Sequence, residues 1–88
     1  HPEQFTSRGE LSDLLQDALG SLPEDQRLAI VLSDVQGYGY DEIAQVMDIA
    51  VGTVKSRISR GRARLREYLQ QSPTAMELTE RYLRLNDE

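Results

Sequence analysis

The sequence contains no cysteine and only one histidine, His1, at its first position. The lack of cysteine excludes disulfide scaffolds, thiolate zinc sites and cysteine nucleophiles, and a lone terminal histidine argues against a His-ligated metal site or a Ser–His triad. No apolar run approaches the roughly 18 residues of a membrane span, and no signal peptide is visible. We therefore expect no metal, no cofactor and no membrane partner. Because the chain begins with His1 rather than Met, we expect it to be part of a longer protein.

Charge is distributed unevenly along the chain. The net charge of −5 divides into −8 over residues 1–50, +5 over residues 51–70 and −2 over residues 71–88. A compact basic block in an acidic chain of 88 residues suggests that one surface binds a polyanion. The alternative is a solvated helix face crossed by salt bridges, but within the block only Glu67 is available to pair with the bases.

Apolar residues recur at helical spacing in four segments. We predict a first helix from Glu10, ended by Gly20 as a C′ glycine, and a second helix that starts at Pro23 and is stopped by Gly37. A third helix is predicted from Tyr40 to Met47, with Gly39 as N-cap and the Glu42 side chain reaching back to the Gly39 amide. A fourth is predicted from Val51 to Gln70. The predicted inner face of the first helix is Leu11, Leu14, Leu15, Ala18 and Leu19, and that of the second is Leu28, Val31, Leu32 and Val35, with Ile30 at the side. The predicted inner face of the third helix is Ile43, Ala44 and Met47, and that of the fourth is Val54, Ile58, Gly61, Leu65 and Leu69.

These segments predict an all-α, four-helix domain over residues 10–70, preceded by a linker or frayed terminus at residues 1–9. Only three residues separate the third and fourth helices, which favours the steep crossing of a helix-turn-helix. Residues 71–88 are predicted to form a C-terminal tail with a short fifth helix over Thr74–Leu85, starting at a capping-box pattern of Thr74 and Glu77. This tail is expected to pack on its own domain or to dock on a partner.

The outer face of the fourth helix has a composition suited to DNA. At about 100° per residue, small residues fall along its middle and cations along both edges. Small side chains allow close approach to base edges in the major groove, and Lys or Arg reach guanine acceptors or phosphates. The small residues are Ser56, Ser59 and Ala63, and the edge cations are Lys55, Arg60 and Arg66. Nearer the core boundary lie Arg57, Arg62 and Arg64, which suit phosphate contacts. Thr53 lies in the first turn, where free amides attract a phosphate.

The run LPEDQRLAIVLSDVQGYGYDEIAQVMDIAVGTVKSRISRGRARLREYL, residues 22–69, resembles region 4 of bacterial sigma factors, and most of all the extracytoplasmic-function (ECF) group. The segment VGTVKSR at 51–57, followed by Arg60, Arg62 and Leu65, is specific, whereas EIA at 42–44 is shared by many helix-turn-helix proteins. The sequence departs from the family pattern at Gly39, Asp48, Ala50 and Gly61. These departures affect helix capping and propensity, and a glycine at an exposed position 61 would weaken the helix by roughly 1 kcal/mol.

The resemblance implies a function and a set of partners. Such domains bind the −35 element of double-stranded promoter DNA, dock on the β flap of RNA polymerase in the cytoplasm, and are often masked by an anti-sigma factor. Carried over by position, the residues that would face the bases are Lys55, Ser56, Ser59 and Arg60, and those near phosphates are Thr53, Arg57 and Arg62.

Three alternatives compete with this interpretation. The helix-turn-helix output domain of a response regulator shares EIA and TVK, but there TVK is usually followed by x-H, whereas Ser56 and Arg57 follow here. A pure protein-interaction module would be expected to carry acids where the basic block lies. An enzyme would need a constellation of a nucleophile and a base, and adjacent acids such as Asp41 and Glu42 diverge by about 100° on a helix. We therefore expect no enzyme activity.

Overall fold

The computed structural model describes residues 2–77, and the side chains of residues 9–77. Every regular element in this part of the chain is helical, which confirms the predicted all-α, helix-turn-helix class. The helices are α1 (Pro2–Gly20), α2 (Glu24–Ile30) with a π-helical continuation (Val31–Val35), α3 (Tyr40–Met47) and α4 (Val51–Gln71), and residues 73–77 are helical again. None of the helices within the described residues is long and apolar enough to cross a membrane.

Helix α1 begins earlier than its apolar period indicates. Residues 2–9, predicted to be a linker or frayed, are helical. Proline is well tolerated in a first turn, and a single interior glycine, Gly9, costs only about 1 kcal/mol relative to alanine, so neither residue prevents the helix. Gly20 is the last helical residue but has no positive φ, so its predicted left-handed C′ role is wrong. The domain boundary at residue 10 stays a prediction.

Helix α2 turns a different face to the core from the one predicted. Its buried residues are Gln26, Ala29 and Ile30, whereas Leu28 is 44% exposed and Val35 is 64% exposed. The prediction followed the large apolar residues, but two of the three buried positions hold the polar Gln26 and the small Ala29. After Ile30 the helix widens into the π-helical turn, where the Gln36 amide donates to the Val31 carbonyl at 2.9 Å. Pro23 is the N-cap, one residue before the first helical position.

The core lies where α2, α3 and α4 meet. The predicted inner faces of α3 and α4 are confirmed at Ile43 and Ala44 and at Val54, Ile58 and Gly61. Burial of such side chains away from water is the main stabilising term for a small domain. The buried cluster consists of Leu22, Ala29, Ile30, Ile43, Ala44, Val54 and Ile58, with Leu19, Leu32, Tyr40, Met47, Ile49, Val51 and Leu65 packed around it.

The connection into α4 is the predicted three-residue turn, and both sides of α3 have defined ends. At its start the Gly39 amide donates to Glu42 Oε1 at 2.9 Å, as predicted. At its end Asp48 adopts the left-handed conformation (φ 56°), and the Ile49 amide donates to the Ala44 carbonyl at 3.0 Å. This is the Schellman arrangement that usually carries glycine. Asp48 occupies it at some conformational cost.

The segment after α4 starts differently from the prediction. The Ala75 amide donates to Ser72 Oγ at 3.2 Å, so Ser72 is the N-cap and Pro73 the first helical residue. Thr74 therefore lies inside the first turn and is not the cap. The remainder of the predicted fifth helix, residues 78–85, lies outside the described residues.

Candidate nucleic-acid interface

Helix α4 is held against α2 at an unusually close contact centred on Gly61. A Cβ atom at this position would lie 2.8 Å from Ile30 Cγ1 and 3.5 Å from Gln26 Cβ. Gly61 is buried, as its place on the predicted inner face indicates, so the propensity cost given for a glycine at an exposed position does not describe its role here. The missing side chain lets the two helices approach, and this approach fixes which side of α4 faces outward.

Helix α2 and its π-helical continuation, residues 24–35, are together called the α2 segment. Two ion pairs within residues 9–77 join α4 to the α2 segment on either side of this contact. Arg57 Nε lies 3.5 Å from Asp25 Oδ2. Arg62 forms a forked pair with Asp34, from Nε to Oδ2 at 3.1 Å and from Nη2 to Oδ1 at 2.6 Å. Glu67 is the only acid within the block, but the acids that pair with Arg57 and Arg62 come from another helix, so the acids inside the block alone do not account for its ion pairs.

The Asp34–Arg62 pair is the stronger of the two by geometry. The hydrogen bonds from Arg62 lower the pKa of the Asp34 carboxyl; partial burial opposes this shift, and a weaker hydrogen bond from Ser33 adds to it. In return, the hydrogen bonds to Asp34 raise the pKa of Arg62. Bidentate Arg–carboxylate pairs are both stronger and more directional than single contacts.

The outer face of α4 is open, as predicted. Thr53, Ser59 and Arg60 are exposed, Lys55 is exposed beside them, and Ser56 is half-buried. The cations on this face make no ion pair with any residue that the structure describes; they are Lys55, Arg60, Arg64 and Arg66. Ala50, the N-cap of α4, offers no side-chain acceptor to the first-turn amides.

The structure thus separates the seven predicted site residues into two groups. Four of them, Thr53, Lys55, Ser59 and Arg60, lie on the open face with Ser56 at its margin. The other two, Arg57 and Arg62, lie on the flanks and are already paired with carboxylates. Sequence reasoning missed those carboxylates, Asp25 and Asp34. They lie on either side of the buried positions 26, 29 and 30 of α2, a signal visible only once the true inner face is known.

An exposed helix with small residues along its middle, unpaired cations at its edges and a tight turn before it defines a helix-turn-helix domain of the DNA-binding type. The model of the family "Sigma-70, region 4" matches residues 12–65. The chain therefore belongs to the sigma-70 region 4 family.

Curated relatives agree with this assignment. The chain is 48% identical over 69 residues to the ECF RNA polymerase sigma factor SigE of Mycolicibacterium smegmatis, a match that covers 78% of this chain and 27% of that protein. It is 41% identical over 69 residues to the ECF RNA polymerase sigma-E factor of Haemophilus influenzae, covering 78% and 36%. It is 47% identical over 62 residues to the sigma-E factor of Escherichia coli K12, covering 70% and 32%. The chain thus spans about a third or less of the length of these relatives.

These matches confirm the resemblance to region 4 of ECF sigma factors and do not favour the response-regulator alternative. The matched residues 12–65 include α3, the turn and most of α4, which are the elements that carry the candidate interface.

Proposed function

We propose that this chain is the −35-recognition domain of an ECF-type sigma factor and binds double-stranded promoter DNA in transcription initiation with RNA polymerase. The observation that carries the proposal is the open face of α4, where unpaired cations surround small side chains. The family match to region 4 supports it independently. Helix α4 would lie in the major groove, with its N-terminal half toward the base edges.

The site residues divide by their position on α4. Lys55, Ser56, Ser59 and Arg60 contact bases in this proposal, because they lie on or beside the open face of its first half. Arg60 is the strongest candidate for sequence readout, since an exposed guanidinium can bond both guanine acceptors. The residues assigned to phosphates are Thr53, Arg57 and Arg62.

Protein partners are also part of the proposal. The family assignment supports docking on the β flap of RNA polymerase, and masking by an anti-sigma factor in the cytoplasm. Several large apolar side chains on α1 and the α2 segment are more than 40% exposed, and such side chains favour contacts with a protein surface. They are Leu11, Leu15, Leu28 and Val35.

The experiment that tests DNA recognition is an Arg60→Ala substitution, assayed on a matched −35 duplex and on a scrambled one. We expect a loss of about 1–3 kcal/mol on the matched duplex and little change on the scrambled duplex, because a base contact is lost. Arg64→Ala is the matched control: Arg64 lies one turn further along the same edge, and we expect it to weaken both duplexes alike.

Equal losses on both duplexes for Arg60→Ala would make Arg60 a phosphate contact. No loss on either would contradict the docking of α4 in DNA. The wild-type chain alone should bind weakly, since its net charge is −5 and it presents a single helix. Tethering to polymerase would raise its effective concentration at the promoter, so nanomolar specific binding by the isolated chain would also contradict the proposal.

A further inference from the structure

The geometry of the Asp34–Arg62 pair leaves part of the guanidinium free. Asp34 accepts hydrogen bonds from Nε and Nη2 of Arg62 at 3.1 and 2.6 Å, which occupies one edge of the fork. A guanidinium has five N–H donors in a rigid plane. The N–H groups of Nη1 and the second N–H of Nη2 are therefore not used by Asp34. Arg62 can hold the carboxylate and present its other edge to an anion at the same time.

The pair is exposed on the flank of α4. The Arg62 side chain is 49% exposed and that of Asp34 is 36% exposed. Across the outer face from Arg62, Arg60 and Arg64 lie on the opposite edge of the helix. A duplex whose major groove receives this face would bring a phosphate backbone toward each edge, so that Arg62 would lie beside one of the two strands.

The carboxylate that holds Arg62 is itself held in place. Ser33 Oγ donates a hydrogen bond to Asp34 Oδ1 at 3.1 Å. Arg62 thus has one preferred arrangement before any ligand arrives. Side chains fixed in their bound arrangement lose less rotational freedom on binding, which increases affinity.

We propose that Asp34 is a positioning residue for DNA binding: it fixes the Arg62 guanidinium so that its free edge meets a backbone phosphate. This rests on the proposed function, because it assumes that α4 binds DNA. It predicts that removal of the Asp34 carboxylate changes DNA affinity in the direction opposite to the one expected from charge repulsion alone. Removal of a carboxylate beside DNA should increase affinity for a polyanion if the carboxylate only repels it, whereas loss of a positioning residue should decrease affinity.

The test is Asp34→Asn in the 88-residue chain, with duplex binding measured across a range of salt concentrations. We expect binding to the matched duplex to weaken about three- to tenfold, as for the loss of one charge-assisted contact. We also expect the slope of log K against log salt to become shallower by up to about 0.9, the contribution of one phosphate contact. Stronger binding or a steeper slope would mean that Asp34 withholds Arg62 from DNA, and would overturn the proposal.

Three variants make the result specific to positioning. Ser33→Ala leaves the charge unchanged and should weaken binding slightly, since it frees the carboxylate. Asp34→Glu keeps the charge and the acceptor, and should restore much of the affinity. Arg62→Lys keeps the charge but loses the fork, and should bind as weakly as Asp34→Asn. If Ser33→Ala and Arg62→Lys both bind like the wild type, charge alone matters and the proposal is wrong.

Two controls separate this proposal from its premise. Asp13→Asn changes the net charge equally at an exposed site on α1, and any effect it has measures global electrostatics. In an Arg62→Ala background, Asp34→Asn should have no further effect beyond that of Asp13→Asn, because Asp34 acts through Arg62.

If the wild-type chain does not prefer the matched duplex, the proposed function itself fails. If it does and Asp34→Asn binds as well as Asp13→Asn, only the positioning role fails. Circular dichroism of each variant establishes that it is folded.

Discussion

The two sides of helix α4 use similar residues for opposite purposes. On the inner side, Val54, Ile58 and Gly61 are buried, and the arginines at its borders, Arg57 and Arg62, are paired with carboxylates of the α2 segment. On the outer side, Lys55 and Arg60 make no ion pair with any described residue. The helix carries six cations and one acid in sequence. Two of these cations are paired with carboxylates where the helix meets its own domain, and Lys55 and Arg60 are unpaired within the described residues where it faces outward.

This difference shows that the position of a lysine or arginine relative to the core decides whether it pairs within the domain or stays available to an external anion. Next to the core, a cation must find a partner or stay solvated, and the acids at positions 25 and 34 supply one. Farther out, Lys55 and Arg60 form no ion pair with a carboxylate of the described residues and remain available to an external anion. Two of the six cations in residues 51–70 are therefore already paired within the domain, and Arg62 keeps further N–H donors besides those used by Asp34.

The inner side should break first when a core side chain is removed. Ile58 is 1% exposed, and Ile58→Ala should lower the free energy of unfolding by about 2–5 kcal/mol, through lost burial and the cavity left behind. Ser59→Ala, at the next residue but on the outer side, should change it by no more than about 0.5 kcal/mol. Urea denaturation measures both. Similar losses for the two variants would contradict the division of α4 into an inner and an outer side.

The close contact at Gly61 gives a finer test of the inner side. Gly61→Ala gains up to about 1 kcal/mol of helix propensity, but its Cβ would lie 2.8 Å from Ile30 Cγ1, an overlap that typically costs about 1–3 kcal/mol. We expect a net loss of about 1 kcal/mol in unfolding free energy. In an Ile30→Ala background the same substitution should become stabilising, because it fills space. Stabilisation in the wild-type background would show that α2 moves freely on α4.

A substitution in the turn before α4 should stabilise the fold without altering either side of the helix. Asp48 holds a left-handed conformation at the C-terminal end of α3, where both its side chain and its negative charge are unfavourable. Asp48→Gly should raise the unfolding free energy by about 0.5–1 kcal/mol, seen as a higher Tm. The ratio of affinities for matched and scrambled duplexes should stay the same. A change in that ratio would mean that residue 48 contributes to the orientation of the outer side.

The smallest effect concerns pH. Since Arg62 lowers the pKa of folded Asp34, the pair stabilises the fold at pH values above the ordinary aspartate pKa of about 3.9. This contribution is lost as the pH falls through the lower, folded value. Both groups are well exposed, so it amounts to a few tenths of a kcal/mol. Unfolding free energies of the wild type and Asp34→Asn should differ at pH 6 and converge near pH 2; a constant difference would contradict the pKa shift.

Local signals predicted α3, the turn and α4 well. The cap at Gly39 and Glu42 is formed within four residues, and the stripe of Val54 and Ile58 repeats at a regular spacing. The inner face of α2 could not be predicted in the same way, because two of its three buried residues are the polar Gln26 and the small Ala29, whereas the larger apolar Leu28 faces outward. The pairing of Asp34 with Arg62 joins residues 28 positions apart. It depends on how α2 crosses α4, which no local pattern encodes.

The contacts between α2 and α4 also fix how far α4 can slide along its own axis. They run in the same order along both segments: Asp25 with Arg57, Ile30 with Gly61, and Asp34 with Arg62. A slip by one helical turn would bring Arg57 or Leu65 to the place of Gly61, where no side chain fits. It would displace the outer residues by about 5.4 Å along the axis of α4. In the proposed DNA complex, the absence of a side chain at position 61 would thus fix where the outer residues lie along the axis of α4 to within less than one helical turn.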